Sequence, residues 1–191
     1  MPNSITELGL SSCLTSPEYF AGIEKSLPRL STLNLEMSAK VSDRDISHIC
    51  KCQNLEVLNL NGCYRVTDSA IEAIARTQSS LRELHLKDTK CSDISLFHIS
   101  SHLKSLQKLS LGGMKETFLC KMSSKGMSCN LIGLKQATAF DLSYSCCDDD
   151  VLKALNCLKT LTSLDVRVTS VTQQGVDSFS EHCKIVSTRD T

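Results

Sequence analysis

The sequence predicts an α/β solenoid, a right-handed stack of strand–helix units forming a partial horseshoe. Two observations carry that reading. An L-x-x-L-x-L frame recurs along the chain, and each frame is followed by residues whose apolar spacing switches from period 2 to about 3.6. The clearest unit is 52–75, CQNLEVLNLNGCYRVTDSAIEAIA. There Leu55, Leu58 and Leu60 make the frame, Cys63 follows three residues later, and Val66-Thr67-Asp68 opens an amphipathic run.

Six other frames can be placed by the same ruler. They are Ile5-Leu8-Leu10, Leu30-Leu33-Leu35, Leu81-Leu84-Leu86, Leu106-Leu109-Leu111, Ala137-Phe140-Leu142 and Leu161-Leu164-Val166. Measured at the second apolar position, from Leu8 to Leu164, the steps are 25, 25, 26, 25, 31 and 24 residues. A repeat period of about 20 to 29 residues marks a stack in which no unit buries its apolar face alone. The expectation is about seven repeats in one domain, 1–191, with a long irregular segment at 115–135. In that segment Met122 and Met127 are candidates for adaptable partner contacts, and Phe118, Leu119, Leu131 and Leu134 for a convex helix. Ile185-Val186 can form a short closing strand.

Helical runs follow the strands. Asp43 precedes Ile46 and Ile49, Asp68 precedes Ile71 and Ile74, and Asp93 precedes Leu96, Phe97 and Ile99. Asp148 to Asp150 precede Val151, Leu152 and Leu155, and Thr172 precedes Val176 and Phe179. A Ser, Thr or Asp thus stands at each predicted start, where it accepts free backbone N–H groups and complements the helix dipole. A second column, Cys13, Ser38, Cys63, Thr89, Ser145 and Thr169, turns inward after the strand and can bond the adjoining turn; Met114 breaks it.

Composition narrows the function. With 21 basic and 21 acidic residues the net charge is zero, so no overall field draws the chain to nucleic acid or a membrane surface. No run approaches the ~18 apolar residues of a membrane span, and the start MPNSITELGL does not read as a signal peptide. Eleven cysteines at repeat-fixed positions read as reduced, buried thiols, which places the chain in the cytoplasm or nucleus. Cys50 and Cys52 lack the spacing of a zinc site, and Asp148 to Asp150 lack the glycine and glutamate of a calcium loop. No phosphate-binding loop is present. No cofactor, metal or catalytic constellation is expected, and the chain is read as a non-enzyme.

The motif Cys52-x-x-Leu55-x-x-Leu58-x-Leu60-x-x-Cys63-x-x-Val66-Thr67-Asp68-x-x-Ile71-x-x-Ile74 resembles the cysteine-containing leucine-rich repeat. That subclass is typical of F-box/LRR proteins, the substrate receptors of cullin-type ubiquitin ligases. The match is partial elsewhere: Ser38 and Thr89 replace the cysteine, and the Val171-Thr172 repeat lacks the Asp. The resemblance implies protein recognition. Ligase recruitment would need an F-box, which this sequence does not contain, so a fragment or isoform of a longer receptor is expected. The other reading is a stand-alone scaffold or signalling regulator.

In either case the partner surface is the concave sheet face. Alternation puts Asn34, Glu36, Asn59, Asn61, His85, Lys87, Asp141, Asp165 and Arg167 there as candidate partner-binding residues. One column runs Gly9, Asn34, Asn59, His85, Ser110, Asp141, Asp165 and is polar in six of seven places. It is a hydrogen-bonding groove for a protein segment or, more plainly, a set of solvated positions free to be polar.

Overall fold

The computed structural model describes residues 4–13, 19–113, 121–179 and 182–187. Each leucine frame contributes one short parallel strand: β1 (Glu7–Gly9), β2 (Thr32–Asn34), β3 (Val57–Asn59), β4 (Glu83–His85), β5 (Lys108–Ser110), β6 (Ala139–Asp141) and β7 (Ser163–Asp165). An eighth, β8 (Lys184–Val186), is the closing strand, and the order in the open sheet is simply β1 to β8. The central residue of each strand faces inward, and Leu33, Leu58, Leu84, Leu109, Phe140 and Leu164 are all nearly or fully buried. The register is unbroken, with Leu33 opposite Leu58, Leu58 opposite Leu84 and so on to Leu164 opposite Ile185. At the first edge Leu8 and Leu10 are only half-buried.

The opposite layer holds α1 (Ile23–Ser26), α2 (Asp43–Ile49), α3 (Asp68–Thr77), α4 (Asp93–His102), α5 (Ser124–Asn130), α6 (Asp149–Leu155) and α7 (Gln173–Asp177), with a 3-10 turn at Leu131–Gly133 after α5. Strands pack about 4.8 Å apart and helices about 10 Å across. The unequal widths make the sheet the concave face. The two longest helices each bury one stripe, such as Ala70, Ile71, Ile74 and Ala75 of α3, whereas no residue of α7 is fully buried. Phe97, read with Leu96 and Ile99 as part of one apolar run, turns outward and is 56% exposed, because it sits one position off the stripe that Leu96 and Ile99 define.

The helix starts follow a rule that joins neighbouring repeats. The cap proper is the Ser or Thr before the aspartate; the aspartate itself reaches the next cap. Asp43 accepts the Thr67 N–H at 2.8 Å and the Thr67 hydroxyl at 2.6 Å. Asp68 does the same for Ser92, Asp93 for Ser123 and Asp149 for Thr172, with backbone contacts of 2.8 Å each. Where the preceding helix has no such aspartate, the helix supplies its own carboxylate. Asp45 closes a capping box on Ser42 at 2.9 Å, since α1 begins with Ile23. Asp148 accepts from Asp150 and Val151 at 3.1 Å, since α5 begins with Ser124. The arriving carboxylate also explains Gly126 and Gly175: a Cβ there would lie 2.0 Å from Asp93 Oδ1 and 2.1 Å from Asp149 Oδ1.

The inward column bonds the turns as expected. The Ser38 hydroxyl donates to Leu10 O at 2.8 Å and the Cys63 thiol to Leu35 O at 3.2 Å, each one repeat back. Thr89, Ser145 and Thr169 bond carbonyls within their own turns, at 2.7, 2.5 and 2.6 Å. Met114, Phe118, Leu119 and Cys120 lie outside the described residues. Within the long fifth unit, Met122 and Met127 are 3% and 0% exposed, with Leu131 and Leu134 beside them in the core. The two methionines therefore pack the solenoid and are not surface contacts.

Candidate functional site

The concave face carries three columns of side chains, set by strand register. Asn34, Asn59, His85, Ser110, Asp141 and Asp165 stand side by side in the middle column. Glu36, Asn61, Lys87, Ser143 and Arg167 follow two residues later, where the chain leaves the strand. All nine residues singled out from the sequence lie along these two columns.

The chain turns sharply just beyond the strands, through left-handed residues such as Met37 (φ 58°), Gly62 (φ 72°), Tyr144 (φ 56°) and Val168 (φ 55°). A backbone N–H exposed by such a turn needs an acceptor. Asn and Asp side chains supply it locally by bonding two residues ahead. Asn34 Oδ1 accepts from the Glu36 N–H at 3.0 Å and Asn59 Oδ1 from the Asn61 N–H at 3.0 Å. Asp141 Oδ1 accepts from the Ser143 N–H at 3.1 Å and Asp165 Oδ1 from the Arg167 N–H at 3.0 Å. His85 does not serve the turn in this way; Asn61 Oδ1 of the preceding repeat accepts the Lys87 N–H at 2.8 Å instead. The polarity of the column thus has a local cause at Asn34, Asn59, Asp141 and Asp165.

What remains free differs along the sheet. Toward β6 and β7 the carboxylates are neutralised by cations of the chain itself. Lys87 Nζ lies 2.6 Å from Asp141 Oδ2 and donates to Ser143 Oγ at 2.8 Å, reaching across β5. Gly112 fits below that bridge; it has φ +93° and an added Cβ would lie 2.3 Å from Ser143 O. The Lys87 side chain is only 13% exposed. Arg167 clamps Asp165, with NH2 to Oδ2 at 2.6 Å and Nε to Oδ1 at 3.0 Å. Burial alone would raise the Asp165 pKa; the hydrogen bonds and charge of Arg167, with Lys87 beyond, outweigh it and hold the carboxyl below the usual range. Lys108 pairs with Glu83 at 2.8 Å. His85 packs at 3.2 Å from Ser110 Oγ, and burial lowers its pKa despite nearby Glu83 and Asp141, so the ring is neutral at pH 7.

Toward β2 and β3 the pattern reverses. Asn34, Asn59 and Asn61 have their oxygens fixed by backbone donors, and their Nδ2 groups make no hydrogen bond with any described residue. Glu36 has no cation partner among the described residues. The bridge from Lys87 to Asp141 and Ser143 has no sequence signature, because the pair is 54 residues apart and out of phase with the repeat. The small residues between them, Ser110 and Gly112, are the one legible hint.

A shallow cavity of about 210 Å³ opens on this face, lined by His85, Lys108, Ser110, Ala139, Asp141, Ser163 and Asp165. That is below the roughly 300–1,000 Å³ of small-molecule sites. Among the described residues no group of three or more His, Cys, Asp or Glu is placed to hold a metal ion. Burial pushes the thiols of Cys63, Cys91 and Cys147 up to about 12, so they remain protonated and poor nucleophiles. No helix among the described residues is long and apolar enough to cross a membrane.

Known proteins share this architecture. No family model matches the chain. Mouse F-box/LRR-repeat protein 12 is 29% identical over 119 residues, 60% of this chain and 36% of that protein. The human protein of the same name is 29% identical over 114 residues, 58% of this chain and 35% of its own length. A Caenorhabditis elegans protein named "Putative RNA-binding protein EEED8.10" is 28% identical over 152 residues, 72% of this chain but 19% of that protein. The chain therefore spans about a third or less of these relatives. Among solved structures, internalin C2 of Listeria monocytogenes superimposes with a TM-score of 0.65 at 18% identity, over 97% of this chain and 72% of that one. Yeast Rad7, in its complex with Elc1, gives 0.65 at 19% identity, over 96% of this chain and 55% of the other. At these identities the two structures speak to the fold alone. The chain is a leucine-rich-repeat solenoid that resembles the F-box/LRR proteins.

Proposed function

We propose that this chain is a non-catalytic protein-recognition module and serves as the substrate-recognition part of a cullin-type ubiquitin ligase, in the cytoplasm or nucleus. The observation that carries this reading is the similarity to F-box/LRR-repeat protein 12 in two mammals. The concave face supports it, since polar groups there stand ready to accept a partner. Attachment to the ligase would run through a segment outside this sequence. Affinity purification of the longest natural product carrying these repeats tests it. Cullin and its adaptor are expected among the recovered proteins. Recovery of other partners with no ligase component would favour the second reading, a stand-alone scaffold that uses the same face.

A further inference from the structure

Resting on the reading of the concave face as a recognition surface, we infer that its β2–β3 half binds an extended, basic segment of a partner protein, holding the main-chain carbonyls through Asn34, Asn59 and Asn61 and a cationic side chain through Glu36. Three observations meet here. The first is orientation. An asparagine amide can usually turn either way, but each of these has its oxygen fixed by a backbone N–H at 2.8 to 3.0 Å, so each NH2 faces the concave space. They are donors positioned in advance, with little ordering cost on binding.

The second observation is placement. Asn34 and Asn59 are register partners on adjacent strands, about 4.8 Å apart, and Asn61 stands at the turn that leaves β3. The three amides therefore lie within reach of one short segment laid on β2 and β3. The third is charge. Glu7 and Glu36 have no cation partner among the described residues, and the β1–β3 part of the face carries no Lys or Arg. Donors set among carboxylates repel phosphate and carboxylate ligands and favour a neutral amide acceptor flanked by a cation. The β6–β7 half offers no such set, because Lys87 and Arg167 already occupy Asp141 and Asp165.

The structure also supplies a clean test. Ser145 Oγ accepts the Cys147 N–H two residues ahead at 3.2 Å, so Asn→Ser at 34 or 59 keeps the turn acceptor without adding a charge while removing the outward NH2. The probes are two synthetic libraries of random nonapeptides, one with arginine and one with glutamate at the centre, and a fluorescent oligouridylate. The wild-type chain is expected to retain the arginine library at least tenfold over the glutamate library and to leave the RNA unbound. Asn34→Ser and Asn59→Ser should each weaken that retention about tenfold, with thermal unfolding confirming the fold. Glu36→Gln should remove the arginine preference, and Asp165→Asn should change neither. Retention insensitive to both Asn→Ser changes, loss through Asp165→Asn instead, a glutamate preference, RNA binding, or retention of neither library would each overturn the inference. Failure of ligase recovery would leave it standing, since these probes need no ligase.

Discussion

Strands β2 and β3 and strands β6 and β7 close the same kind of turn with different side chains. Asn34 and Asn59 use an amide oxygen; Asp141 and Asp165 use a carboxylate. The exchange is nearly isosteric, yet its consequence for the surface is large. A carboxylate brings a charge that the half-buried site must neutralise, and Lys87 and Arg167 are drawn in to do so. An amide needs no counter-charge and leaves a donor facing outward. One half of the face is thereby satisfied by the chain itself, while the other retains outward-facing amide donors.

The same contrast of local and neighbouring supply governs the helix starts. Asp43, Asp68, Asp93 and Asp149 each serve the following repeat, whereas Asp45 and Asp148 serve their own. The link is interrupted between α1 and α2 and again between α5 and α6. On the opposite face the Lys87 bridge spans β5 to reach β6, tying together repeats on either side of the long unit.

The strongest perturbation strikes what the two halves share. Leu58→Ala and Leu164→Ala remove fully buried side chains from one continuous core, and each should cost roughly 2–5 kcal/mol in denaturant unfolding. A loss at one site alone would mean the halves unfold separately. Next is Asp68→Ala, which strips acceptors from Ser92 and Ser95 and should cost about 2 kcal/mol. Burial would raise the Asp68 pKa, but those hydrogen bonds outweigh it and lower the folded value below 3.8. Its stabilisation is thus complete above that pH and is lost as the pH falls through the folded value. Acid unfolding of the wild type followed by circular dichroism should show that loss, and the variant should lack it.

Lys87→Ala should cost about 1–2 kcal/mol, because Asp141 loses its cation at a half-buried site, while Glu36→Gln in the other half should stay within about 0.5 kcal/mol. Smallest is Val168→Asn. Val168 holds the left-handed turn position (φ 55°) that Gly62 fills in the third repeat, and a β-branched residue is strained there. Asparagine tolerates the conformation, so the melting temperature should rise by the equivalent of about 1 kcal/mol or less.

The core was legible because Leu33, Leu58, Leu84 and their counterparts recur in phase, and a periodic cause leaves a periodic trace. The candidate columns could also be placed from alternation alone. Which members remain available for binding could not. Asn59 and Asp141 look equally polar in sequence, and only the Lys87 contact across β5 distinguishes them. Asn61 serving the turn after His85 is equally hidden, because the acceptor comes from the neighbouring repeat. Phe97 misled because it is apolar and lies between two core positions without sharing their side of α4.

Reciprocal exchange within the middle column tests the central contrast most directly. Chemical denaturation of Asn59→Asp and Asp141→Asn, measured against the wild type, should show a loss at both positions. Asn59→Asp retains its turn but brings a carboxylate with no cation beside it, and Asp141→Asn leaves Lys87 without its counter-charge, so each should lose about 1–2 kcal/mol. A carboxylate tolerated at position 59 without loss would contradict the account.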